Sequence, residues 1–243
     1  MHPQICQIGP LTIYSYGLMM ALAFLTSVSL AGMRARKEGI DPEVIFNVAL
    51  QAMIWGVVGA RAFYVLENLS EYLSNPREIL MLQHGGLSWF GGFIAGSGSV
   101  LIYLKKKKLK VITILDLIVP FLALGQSIGR IGCLLNGCCY GRPSELGIYF
   151  PVHGAELIPT QLYSSLFLIV IFVILRIIQE RPHQAGKIFF TYLLLYSLKR
   201  FLIEFWRADN PGVLWGLSLF QVLSIIMFCA GLCGFFFLRK RKI

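Results

Sequence analysis

Seven apolar runs, each long enough to cross a lipid bilayer, dominate this chain. They lie at roughly residues 11–33, 44–66, 86–104, 111–130, 160–179, 187–205 and 214–238. A tilted helix needs about 17 residues to cross some 30 Å of hydrocarbon, and every run exceeds that length. Only 14% of the residues are charged, whereas a soluble domain carries about 25%. The sequence therefore predicts an all-α integral membrane protein, a single seven-span domain over residues 1–243, rather than one large soluble helical domain.

The basic residues between the runs predict the orientation. Fifteen Lys and Arg residues follow the first, third, fifth and seventh runs, whereas six lie on the other side. Because cytoplasmic loops are enriched in Lys and Arg, we expect the N-terminus outside and the C-terminus in the cytoplasm. The segment before the first run lacks the basic region of a cleaved signal peptide, so we expect that run to be retained. The net charge of +10 sits in these loops and predicts no nucleic-acid partner.

Residues near the outer ends of the runs, and in the loops beside them, are expected to meet near the outer membrane face. These residues are Tyr16, Arg61, His84, Gly85, Arg130, Arg200, Glu204 and Arg207. Guanidinium groups bind phosphate through paired hydrogen bonds, so the cluster predicts a site for an anionic lipid headgroup. Two alternatives remain open: arginines near span ends could simply reach water, and Arg200 with Glu204 could form a structural ion pair. Asp116, in the inner part of its run, is expected to pack against or cap a helix.

The stretch from Gly129 to Arg142 joins the fourth run to an outer loop and combines glycines, arginines and cysteines. Arginine near hydrocarbon is costly and usually functional, and the glycines around Arg130 let backbone approach a ligand closely. Its cysteines, Cys133, Cys138 and Cys139, allow three interpretations. Two of them could form a disulfide facing an oxidising exterior, one could be a nucleophile or acceptor, or all three could be packing residues. The cysteine spacing matches no zinc-finger pattern, and no metal is predicted.

Several different short motifs follow one another along the chain. They are Ile8-Gly9-Pro10 with Tyr16-Gly17-Leu18-Met19, Gly59-Ala60-Arg61, Gly85-Gly86-Leu87-Ser88 with Gly91-Gly92, Gly129-Arg130-Ile131-Gly132 with Asn136-Gly137 and Gly141-Arg142, Gln161-Leu162-Tyr163, and Arg200 with Glu204-Phe205 and Arg207. Together they resemble the prolipoprotein diacylglyceryl transferase family over roughly residues 8–238, with its seven-span topology.

The resemblance implies a multi-pass transferase of lipoprotein biosynthesis in the bacterial inner (plasma) membrane. It implies transfer of the diacylglyceryl group from phosphatidylglycerol, a membrane lipid, to the lipobox cysteine thiol in the signal peptide of a preprolipoprotein, releasing glycerol phosphate in the outer leaflet. No metal or soluble cofactor is implied. The implied catalytic residues are Arg130 and Arg200, which hold the phosphate, and Glu204, which orients Arg200. The implied substrate-binding residues are Tyr16, Arg61, His84, Gly85, Asn136, Gly141 and Arg207.

Four positions depart from the family's usual pattern. Phe90 and Tyr14 stand where histidines are common, Cys133 stands where Asn is usual, and Cys138 where Glu is usual. The usual candidates for a general base are therefore missing, and His84 or Tyr16 would have to replace them. These departures keep two alternatives open. One is a divergent, cysteine-bearing paralogue that transfers a phospholipid-derived group to another acceptor, and the other is a non-catalytic lipid-binding or transport protein.

Overall fold

Helices form at all seven positions where the sequence predicts spans. The computed structural model describes residues 1–8, 11–81, 85–208 and 212–240. Its α-helices are α1 (Ser15–Lys37), α2 (Pro42–Glu67), the short α3 (Leu69–Ser74), α4 (Trp89–Lys106), α5 (Val111–Asn136), α6 (Thr160–Gln179), α7 (Lys187–Glu204) and α8 (Leu219–Lys240). A 3₁₀ turn (Pro76–Leu80) follows α3.

The long helices suit a lipid environment. By length and composition, five of those described are apolar enough to cross a membrane, namely α1, α2, α5, α6 and α8. Helices α4 and α7 are less apolar because α4 ends in two lysines and α7 contains four charged residues. Large apolar side chains are exposed along the helices, including Leu25, Ile94, Leu166 and Ile226. Such a surface fits hydrocarbon rather than water, so the chain is a helical membrane protein.

Three antiparallel hairpins occur in the described part of the chain, one before α1 and two between later helices, and none was predicted from the sequence. They pair β1 (Gln4–Ile8) with β2 (Leu11–Tyr14), β3 (Pro143–Phe150) with β4 (Ala155–Leu157), and β5 (Gly212–Leu214) with β6 (Leu217–Ser218). The second hairpin is anchored by Phe150, which is fully buried and packs against Tyr140 with ring centroids 6.1 Å apart.

The chain divides into two compact units, residues Gly32–Ile114 and residues Met1–Ala31 with Leu115–Ile243. In the unit formed by Gly32–Ile114, α2 and α4 cross at glycines. A Cβ atom added to Gly59 would lie 2.2 Å from the Ala95 Cβ atom, and one added to Gly91 would lie 2.3 Å from the Gly59 carbonyl oxygen. The two backbones therefore touch directly, as small residues allow in membrane helices.

Replacing Gly91 by Ala should destabilise this crossing by about 1–3 kcal/mol, because the added methyl group has no room beside Gly59. Gly98→Ala on the same helix is the matched control, since no heavy atom lies within 4 Å of its added Cβ atom. Thermal unfolding of the two purified variants in one detergent measures the difference. Equal unfolding temperatures would contradict the contact.

In the other unit, α5, α6 and α7 share an apolar core. The core residues are Val119, Ala123, Leu168, Ile171, Leu175, Ile188 and Tyr192. Buried Asp116 lies near the start of α5, where its Oδ2 atom accepts a hydrogen bond from the Gly186 amide (2.6 Å) and its Oδ1 atom accepts one from the Phe189 amide (2.7 Å). The carboxylate thus caps α7 from a neighbouring helix, which confirms the capping role expected for it.

Asp116→Ala should lower the stability of this unit by about 1–3 kcal/mol, because two buried amides lose their acceptor. Asp116→Asn keeps one acceptor oxygen and should fall between that variant and the unchanged protein. The control is Glu180→Ala, which removes an exposed ion pair with Arg176. Limited proteolysis between α6 and α7 reports the loss, and equal resistance of the Asp116→Ala and Glu180→Ala variants would refute the cap.

Candidate active site

The C-terminal half of α5 is fixed by polar contacts to α6 and α7. The Ser127 Oγ and Ser165 Oγ atoms are 2.9 Å apart, which links α5 to α6. The Tyr192 hydroxyl donates to the Gln126 Oε1 atom at 3.0 Å, which links α5 to α7. Arg130 follows one helical turn later, so these contacts set the position from which its side chain extends.

Helix α5 ends in a Schellman motif. The Gly137 amide donates to the Leu134 carbonyl (3.1 Å) and the Cys138 amide donates to the Cys133 carbonyl (3.1 Å). Gly137 has φ = 77°, a left-handed conformation in which glycine has no steric penalty. The motif reverses the chain and brings Cys138 back beside Cys133. We call residues 137–142, which follow the helix, the elbow.

Three consecutive carbonyls of the elbow each accept a hydrogen bond from a side chain. His153 Nε2 lies 2.8 Å from the Gly137 oxygen, Gln161 Nε2 lies 2.6 Å from the Cys138 oxygen, and Thr160 Oγ1 lies 2.7 Å from the Cys139 oxygen. The Thr160 hydroxyl points to the elbow, and the N-cap of α6 is Pro159. The start of α6 therefore holds the elbow in place.

The far end of the elbow pairs with the segment after α7. The Arg142 amide donates to the Trp206 carbonyl and the Gly141 amide donates to the Ile158 carbonyl, both at 2.8 Å. A Cβ atom on Gly141 would lie 2.7 Å from both the Trp206 oxygen and the Ile158 Cβ atom, so only glycine fits there. Gly141 also forms an antiparallel bridge with Arg207. The bridge brings the Arg207 backbone next to the elbow.

Arg200 and Glu204 form a buried ion pair on α7. The Arg200 Nη2 and Glu204 Oε2 atoms are 3.1 Å apart, with side chains 12% and 1% exposed. The Ser218 hydroxyl donates to Glu204 Oε1 at 2.8 Å, and the Arg200 guanidinium lies 4.4 Å from the Phe220 ring centroid. The ion pair predicted from the sequence is present, and the start of α8 completes it.

Ser218 also caps α8 in a way that the sequence could have revealed. Its amide donates to Gln221 Oε1 (2.9 Å), and the Gln221 amide donates to Ser218 Oγ (3.3 Å). This reciprocal pair is a capping box, which Ser-x-x-Gln before an apolar run typically forms. One hydroxyl therefore fixes both the helix start and the Glu204 carboxylate.

Arg130 lies half-buried near the end of α5. Its charge and those of Arg200 and Arg207 act on buried Lys199, whose ammonium group lies 4.7 Å from the Tyr196 ring centroid. These cations thus share one electropositive region. Over the described parts of the chain, the Arg130 guanidinium has neither a hydrogen bond nor an ion pair. A half-buried guanidinium whose donors are not used within the protein favours binding of an anionic ligand.

Tyr16 and Asn136 lie beside the same region. A Cβ atom on Gly132 would lie 3.6 Å from the Tyr16 Cδ2 atom, so the start of α1 contacts the end of α5. The Tyr16 hydroxyl interacts electrostatically with Arg130 and with the elbow cysteines. Asn136 is the last residue of α5 and directly precedes the elbow.

Cys133, Cys138 and Cys139 are free thiols whose sulfur atoms all lie within 4.8 Å of one another. Hydrogen bonds from Cys133 and Cys138, followed by the charges of Arg207 and Arg130, lower the pKa of Cys139. The disulfide considered from the sequence is not formed here. The side chains face one another as a cluster.

Arg61 belongs to the unit formed by Gly32–Ile114, where its guanidinium is saturated by backbone carbonyls. Nε donates to Ile79 (3.1 Å), Nη1 to Gly85 (2.5 Å) and Gly86 (2.9 Å), and Nη2 to Glu78 (2.5 Å) and Met81 (3.3 Å). The Gly85 carbonyl thus accepts a hydrogen bond that ties its loop to α2. The predicted substrate residue His84 lies outside the described residues.

Sequence reasoning missed three residues that shape the site, namely His153, Gln161 in its contact with the elbow, and Ser218. Of these three residues, only Ser218 belongs to a recognisable local sequence pattern, the Ser-x-x-Gln capping box. The contacts of His153 and Gln161 join residues 16 and 23 positions apart.

Comparisons with known proteins agree with the resemblance. Residues 3–237 match the family model described as prolipoprotein diacylglyceryl transferase. A relative from Clostridium tetani named phosphatidylglycerol–prolipoprotein diacylglyceryl transferase is 36% identical over 100% of both chains. A second transferase of that name from Clostridium perfringens is 34% identical over 93% of this chain and 91% of its own. The Synechococcus elongatus relative is 34% identical over 96% and 86%.

Proposed function

The chain belongs to the prolipoprotein diacylglyceryl transferase family, and we propose that it transfers the diacylglyceryl group of phosphatidylglycerol to the lipobox cysteine of a preprolipoprotein. In this step the thiol loses its proton and its sulfur bonds to the glyceryl carbon. The bond from that carbon to the phosphate oxygen breaks, and glycerol phosphate leaves with the electron pair. The observation that carries the proposal is the half-buried Arg130 guanidinium, which has no partner among the described residues.

Negative charge builds on the phosphate during this reaction. The phosphodiester of phosphatidylglycerol carries one charge, whereas a phosphate monoester carries about 1.5 to 2 at neutral pH. Fixed cations therefore stabilise the transition state more strongly than they stabilise the bound lipid in its ground state. This difference is the condition for catalysis. Arg130 offers its free fork of donors to the phosphate oxygens, and Arg200 adds a second fixed charge.

Glu204 and Ser218 act as positioning residues. Glu204 holds Arg200 through the 3.1 Å ion pair, and Ser218 holds Glu204 through a 2.8 Å hydrogen bond. A buried arginine whose counter-ion is itself fixed does not have to reorganise as charge develops. The start of α8 thereby contributes to phosphate binding without touching the lipid.

The other predicted residues divide into headgroup contacts and structural supports. Tyr16, which interacts electrostatically with Arg130, and Asn136, the last residue of α5, would contact the glycerol headgroup, while Arg207 adds positive charge. Gly141 allows the close approach of the elbow to Trp206. Arg61 would hold the loop of Gly85 and the predicted lipid-contacting residue His84, because its donors are already occupied.

The orientation follows from the charge pattern. We place the N-terminus outside, the C-terminus in the cytoplasm and the site in the outer leaflet of the bacterial plasma membrane, with all seven long helices crossing in a single membrane domain. Helices α4 and α7 would cross against their neighbours. For α7, the burial of Lys199 and Glu204 supports this placement.

Replacing Arg130 by Ala should reduce transfer of labelled diacylglycerol to a lipobox peptide by about 100-fold or more, as removing one transition-state donor typically does. Arg130→Lys keeps the charge without the fork and should fall in between. Arg181→Ala in the exposed loop between α6 and α7 is the charge-matched control. Full activity of Arg130→Ala at normal membrane levels would exclude the phosphate role.

Ser218→Ala should lower transfer about tenfold, because the Glu204 carboxylate loses a charge-assisted hydrogen bond worth about 1.5–3 kcal/mol. Ser218→Thr retains the hydroxyl and should restore the rate. The control is Ser224→Ala, a buried serine on α8 whose hydroxyl donates to the Phe220 carbonyl of its own helix. Unfolding temperatures of all three variants separate positioning from stability. A rate loss that Ser218→Thr fails to restore would argue against the positioning role.

A further inference from the structure

We propose that Cys133, Cys138 and Cys139 bind a thiophilic metal ion of the Zn²⁺ type, and that this ion receives the acceptor thiol as its fourth ligand. The second part rests on the transferase function proposed above. Zinc binds thiolate sulfur at about 2.3 Å in tetrahedral geometry, which places the sulfurs about 3.8 Å apart. The three sulfurs already lie within 4.8 Å of one another, so shifts of about 1 Å or less would complete the site.

The backbone holds the three thiols in this arrangement before any ion binds. The Schellman motif returns Cys138 to Cys133, and Gln161 and Thr160 hold the carbonyls of Cys138 and Cys139. Cys139 has φ = 62°, a left-handed conformation that costs a non-glycine residue about 1–2 kcal/mol. Such strain is concentrated at functional sites, and here it directs the third sulfur towards the other two.

The surroundings fit a thiolate complex. Three thiolates with a divalent ion carry a net charge of −1, and the Arg130 and Arg207 charges act on the Cys139 sulfur. The Cys138 thiol donates a hydrogen bond to the Cys133 carbonyl oxygen at 3.7 Å, which holds its sulfur beside the last turn of α5. All three cysteines are partly accessible, so an ion has a path of entry.

A bound ion would supply the deprotonation of the acceptor thiol, for which the family's usual side chains are absent. The histidines and the carboxylate usual in this family are replaced by Tyr14, Phe90 and Cys138, yet the acceptor thiol must lose its proton. A thiol bound to such an ion is deprotonated, and its proton passes to solvent. Cys133 follows Arg130 by one helical turn, so the acceptor sulfur would lie close to the phosphate that Arg130 is proposed to bind. The sulfur then attacks the glyceryl carbon as glycerol phosphate leaves.

The first experiment measures binding of Cd²⁺ and Zn²⁺ to the full-length protein, reduced and purified in detergent. We expect one ion per chain and an ultraviolet sulfur-to-cadmium charge-transfer band. Cys133→Ser, Cys138→Ser and Cys139→Ser should each weaken binding by about tenfold or more. Cys229→Ser, which removes an exposed thiol on α8, is the matched control. Equal binding by the unchanged protein and the Cys138→Ser and Cys139→Ser variants would overturn the site.

A second measurement uses the unchanged protein, so it does not depend on how any variant folds. Bound Zn²⁺ should protect Cys133, Cys138 and Cys139 from alkylation, as read by peptide mass, while Cys6, Cys229 and Cys233 stay reactive. Equal alkylation of all six cysteines would overturn the proposal. So would a disulfide within the cluster in protein taken from the membrane without reductant.

The third measurement separates this proposal from the proposed function. Chelator treatment should reduce transfer by about tenfold or more, and Zn²⁺ should restore it. Arg130→Ala should bind the ion normally and still fail to transfer. Full transfer by ion-free protein would overturn the metal role and leave the transferase function intact. Absence of transfer by metal-loaded, unchanged protein would instead refute the transferase function, and the acceptor role of the ion with it.

Discussion

The carbonyl groups of Gly137, Cys138 and Cys139 follow the end of helix α5 and have no helical hydrogen-bond partners. Each accepts a hydrogen bond from one side chain instead. Irregular backbone next to a membrane is tolerated only where its polar groups are satisfied within the protein. His153 and the first two residues of α6 provide that satisfaction. The placement of the elbow, with the thiols of Cys138 and Cys139, depends on these three hydrogen bonds.

The arginines of this protein differ in how much of their bonding capacity the fold already uses. Arg61 donates to five carbonyls and so shapes a loop. Arg200 is held by Glu204 but keeps part of its fork, while Arg130 has no partner among the described residues. A guanidinium that is already saturated cannot release five hydrogen bonds for a phosphate at low cost. This gradation explains why arginines in similar sequence settings take different roles.

Much of the helical framework could be predicted from the sequence because apolar length is a local property. The long helices and the Arg200–Glu204 pair follow from hydropathy or from residues close in sequence. The carboxylate of Asp116 within an apolar run predicted a packing or capping role, but its partners, the Gly186 and Phe189 amides, lie 70 and 73 positions away. The hairpins and the donors of the elbow could not be predicted. Their positions depend on contacts such as that of Gln161 with Cys138, which appear only after α5 and α6 have packed. Arg61 illustrates the same limit, since no sequence pattern reveals that its donors are occupied.

The unusual residues at positions 133 and 138 become understandable once the forces on the elbow are separated. The chain reversal rests on the Gly137 conformation, on two amide hydrogen bonds and on donors from outside the elbow, none of which involves the side chains of Cys133 or Cys138. Those two side chains can therefore change without moving Arg130 or Arg207. A family member that loses its usual polar groups here keeps the frame of the proposed phosphate site, and the chemistry at the proposed acceptor side is free to differ.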